Sequence, residues 1–177
     1  EDPMKTIRLC LALGLASITG FGVLALSPVA AQAAVDPLHD GLSEATAAAS
    51  CWEIKQNNPR SSDGTYWLQT ATMDAPGQFF CDQTTDGGGW VLIGRGREGW
   101  ETWSQGKGDQ EKLKTRPRTA GDFDVVQASH ETVNGLLGGT AVSDLDDGIM
   151  VQRAWNHRGT AYQTVRMHFP KMRDFIW

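Results

Sequence analysis

The sequence predicts an α+β domain built from small antiparallel sheets, with one or two helices and one disulfide. Three observations predict it. Gln78-Phe79-Phe80-Cys81 and Trp90-Val91-Leu92-Ile93 are short β-prone runs separated by Asp82 to Gly89, which ends in three consecutive glycines. Thr65-Tyr66-Trp67-Leu68-Gln69-Thr70 is a third such run, joined to the first by the turn residues Met73-Asp74-Ala75-Pro76-Gly77. Cys51, about thirty residues before Cys81, is its only partner once the leader is removed.

The first 33 residues read as leader. Glu1-Asp2-Pro3, ahead of the start Met4, reads as a cloning or translation artefact. Met4-Lys5-Thr6-Ile7-Arg8 is a short basic segment, Leu9 to Leu26 is almost uncharged and apolar, and Ala31-Gln32-Ala33 is a small-x-small cleavage pattern. The competing reading is a membrane anchor, since the run approaches the ~18 residues needed to span a bilayer. The Ala-rich exit after Pro28 and the lack of a basic stop-transfer cluster favour cleavage and a secreted product without a stable anchor. Cleavage removes Cys10 and leaves Cys51 and Cys81, an even pair in an oxidising compartment. Closing that loop contributes roughly 3.6 kcal/mol by the chain-entropy relation.

Ala34 to Ser50 is a small-residue lead-in, with a short helix expected from Asp40-Gly41-Leu42-Ser43 through Ala49 and either helix or loop from Trp52 to Lys55. Asn57 to Gly64 is a turn region. Three antiparallel strands follow, the third running from Trp90 to Gly94. Residues 105 to 122 are polar and glycine-bearing and read as a long loop. A helix is expected over Ser129 to Leu137, opened by Ser129 and ended by Gly138-Gly139. Ile149-Met150-Val151-Gln152-Arg153 and Ala161 to Phe169 form a second hairpin about Asn156-His157-Arg158-Gly159. The aromatic ending Phe175-Ile176-Trp177 reads as the interior of something longer.

The segment 51–104 resembles the opening of a fibrinogen-like domain of the bacterial secreted kind. The resemblance rests on Cys51, on Asp63-Gly64-Thr65-Tyr66, on Phe80-Cys81-Asp82 with Gly87, Gly88, Gly89 and Trp90, and on Val91-Leu92-Ile93. Residues 105–177 read as a divergent, truncated continuation of the same domain, similar to the family in element order more than in residues. The resemblance implies recognition rather than catalysis: a lectin-like module that binds an extracellular glycan or protein surface. The alternative is a non-catalytic N-terminal module of a larger secreted carbohydrate-active enzyme or adhesin. Calcium enters by family resemblance only, because the family's acidic loop lies near its C-terminal end and nothing here matches it.

The 21 acidic against 16 basic residues, net charge −5, argue against nucleic acid as a partner. Gly94-Arg95-Gly96-Arg97-Glu98-Gly99 fits GxGxxG, but no helical period follows it, so no dinucleotide site is expected. Asp144-Leu145-Asp146-Asp147-Gly148 places its glycine one residue early for a calcium loop and reads as a turn before a strand. Lys112, Lys114, Arg116 and Arg118 alternate; in an extended chain they share one face suited to an anionic polymer, although most such runs are solvated loop. Trp100 and Trp103, with Arg95 and Arg97, are the candidate ligand platform, since an indole face suits sugar C–H and cation contacts; the competing reading makes them core rings. The four isolated histidines, the absence of GxSxG and two bonded cysteines leave no catalytic constellation.

Overall fold

The computed structural model describes residues 39–96, 101, 106, 108–116, 124–154 and 161–171. Their order is α1 (Cys51–Asn57), β1 (Gly64–Leu68), β2 (Gly77–Asp82), β3 (Trp90–Val91), β4 (Gly94–Arg95), β5 (Val126–Gln127), α2 (His130–Leu137), β6 (Ile149–Ala154) and β7 (Tyr162–Met167), with short 3-10 turns between. The sheets are β1-β2-β3, β4-β5 and β6-β7, every pairing antiparallel. This is the α+β fold of small sheets, two helices and one disulfide, consistent with a fibrinogen-like fold.

Alternation places the first sheet. Tyr66 and Leu68 of β1 and Phe79 and Cys81 of β2 are buried, while Thr65 faces solvent. The register sets Tyr66 opposite Phe79 and Gly64 opposite Cys81, so the buried residues share one face. Helix α1 closes that face with Cys51 and Ile54, and Ala48 completes the cluster. Ser50 caps α1 by accepting from the Glu53 N–H at 3.0 Å, and Glu53 reaches back to accept from the Ala49 N–H at 2.6 Å.

The lead-in is not a helix of its own. A single 3-10 turn covers Glu44–Thr46, after which the chain runs extended and Ala48 bridges Leu68 in parallel. Helix α1 instead begins at Cys51, where the lead-in helix was expected to have ended. Beyond β3 the third strand stops at Val91, and the chain changes sheets at Gly94–Arg95 to pair with Val126–Gln127. A second cluster of Leu113, Val126, Ala128 and Val133 forms there, with Leu92, Ile93 and Leu137 packed on it. Helix α2 is as expected: the Ser129 hydroxyl accepts from the Thr132 N–H at 3.2 Å, and Gly138 ends it with φ 59° and ψ 26°. The expected hairpin is β6-β7, its turn at 156–159 lying outside the described residues.

Candidate functional site

Cys51 and Cys81 are bonded, with Cα atoms 5.6 Å apart and both side chains buried. The staple joins the first residue of α1 to the centre of the first sheet. Beside it Gln83, fully buried, donates from Nε2 to the Cys51 carbonyl at 3.0 Å and accepts at Oε1 from the Gly89 N–H at 3.1 Å. One side chain therefore ties the disulfide to the bend that follows.

The bend holds four consecutive residues at positive φ: Asp86 (50°), Gly87 (89°), Gly88 (80°) and Gly89 (84°). Two of the glycines are also needed for space. A Cβ on Gly88 would lie 2.3 Å from the Gln83 carbonyl oxygen, and one on Gly89 would lie 2.6 Å from the Trp52 ring. A Cβ on Gly87 would meet nothing within 4 Å. Gly88→Ala is therefore expected to destabilise by about 3 kcal/mol or more, strain and clash together, and Gly87→Ala by about 1 kcal/mol. Urea titrations of the two variants check this, and equal losses would contradict it. Trp90, opening β3, donates its indole N–H back to the Thr85 carbonyl at 3.1 Å.

Two arginines fasten β6-β7 over this bend. Arg116 pairs with Asp82, reaches Asp63 at 3.1 Å and donates to Gln152 Oε1 of β6 at 3.2 Å, with its guanidinium 5.1 Å from the Phe80 ring centre. Gln152 continues to the Thr85 hydroxyl at 3.1 Å. Arg166 of β7 donates to Asp86 at 2.6 Å and Asp147 at 2.7 Å, and lies 5.1 Å over the Trp90 ring. Burial works to raise the pKa of Asp82. The N–H and hydroxyl of Thr85, the Arg116 guanidinium and the Thr84 N–H outweigh it and hold the carboxyl down at about 2.

Of the sequence-predicted platform, Arg95 is described and Arg97, Trp100 and Trp103 lie outside the described residues. Arg95 donates to the Asp124 carbonyl at 2.9 Å and the Thr115 carbonyl at 2.5 Å, joining two loop segments; burial lowers its pKa. Arg118 of the basic run lies outside the described residues, and the described members Lys112, Lys114 and Arg116 are each engaged in ion pairs. Residues Gln110–Lys114 form a 3-10 turn with Leu113 buried, Lys112 pairs with Asp109 and Asp124, Lys114 with Glu111, and Arg116 with Asp63 and Asp82. Trp52 was not singled out by sequence, yet it is 51% exposed and seated against Gly89. Its position two residues into a Ser50-capped helix, outside the Cys51–Ile54 face, was the available signal.

Asp144 pairs with Lys171 and Asp147 with Arg166, and among the described residues no three His, Cys, Asp or Glu side chains gather to hold a metal ion. The residues described thus offer no ligand set for the calcium that the family resemblance brings in. Among the described residues no helix is long and apolar enough to cross a membrane.

No family model matches the chain, and no solved structure matches it. A stretch of 66 residues is 38% identical to angiopoietin-4 of Mus musculus, covering 33% of this chain and 13% of that protein's length. Angiopoietin-4 is a fibrinogen-like domain protein, and the likeness supports a fibrinogen-like domain here.

Proposed function

We infer that this chain is a secreted, non-catalytic recognition module of the fibrinogen-like kind, which binds a glycan or a protein surface outside the cell. The observation that carries the reading is the use made of its reactive groups. Both cysteines of the described residues are bonded to each other, which removes a thiol nucleophile. Asp82, the carboxylate whose titration is most displaced, is buried, ionised and locked on Arg116, the opposite of a general acid poised near neutral pH. The partial likeness to angiopoietin-4 supports the fold side of the inference.

The ligand contacts we assign are the indoles of Trp100 and Trp103 with the adjacent Arg97, on the segment that follows the Arg95 anchor in sequence. The oxidised chain from Ala34 onward, probed on a glycan array and on a panel of extracellular proteins, is expected to bind a subset saturably. Trp100→Ala and Trp103→Ala are each expected to weaken that binding by about tenfold, the scale of one lost stacking contact. Uniform absence of binding, with and without calcium, would overturn the recognition reading. Unchanged binding in both variants would overturn the site.

A further inference from the structure

We draw no further inference here: the strongest candidate, the half-exposed indole of Trp52 on α1 where it sits against Gly89 of the triple-glycine bend, is an unpartnered apolar surface, and nothing in the structure shows what covers it.

Discussion

Replacing Cys51 and Cys81 together by alanine is expected to lower the unfolding free energy by about 3–4 kcal/mol. The loop they close spans a separation of 30 residues, for which the chain-entropy relation gives roughly 3.6 kcal/mol. Domains of this size are stable by about 5–15 kcal/mol in total, so the loss approaches the whole margin at the low end. The effect extends beyond the unfolded chain. Cys51 opens α1 and its carbonyl accepts from Gln83, whose other end holds the Gly89 N–H. Without the bond, α1 is held on the sheet by Ile54 and Ala48 packing, and the bend loses its fixed reference. Paired urea titrations of the wild type and the double variant measure the difference in midpoint. A loss under about 1 kcal/mol would show that the cluster around Phe79 holds the helix without the staple.

The elements that sequence placed well are those whose signals are local. Helix α2 carries its own beginning and end, Ser129 and Gly138, and the two hairpins carry alternation flanked by turn residues. The disulfide followed from counting. What escaped was non-local or contradicted by packing. Ala47-Ala48-Ala49 favours helix by propensity, but Ala48 is drawn extended against Leu68, and the helix starts at the next good cap, Ser50. The Ser50-x-x-Glu53 spacing was the missed cue. Strands β4 and β5 are two residues each and their partners lie 31 to 33 residues apart, too short for any period to show. The alternating basic run shows why free charge is hard to read from a chain. Lys114 has a local partner in Glu111, but Asp63 and Asp82, which pair with Arg116, and Asp124, which pairs with Lys112, come from before and after the run, so that charge looks free in the chain and is consumed in the fold.

Arg116→Met is expected to be the most costly single charge substitution, at about 3–5 kcal/mol. Arg116 is 14% exposed and Asp82 5%, and removing one partner of a buried pair leaves the other charge desolvated and uncompensated. The loss would spread along the chain of contacts, because Gln152 loses one of its two tethers and β6 its link to the first sheet. Hydrogen exchange is therefore expected to quicken in β6-β7 before it does in β1-β2. Acid gives the matching wild-type result. Asp82 has a folded pKa near 2 against 3.8, so its contribution is complete above pH 3.8 and is lost as pH falls through about 2. The depression corresponds to about 2 kcal/mol. In Arg116→Met the burial that favours the protonated form goes less opposed, so acid unfolding moves to higher pH. Combining Arg116→Met with Asp82→Asn removes the stranded charge and should cost less than the sum of the two single changes, since the residues touch. Strict additivity in that cycle, or an acid transition unmoved in Arg116→Met, would mean that Asp82 draws its stabilisation from the Thr84 and Thr85 donors and not from Arg116.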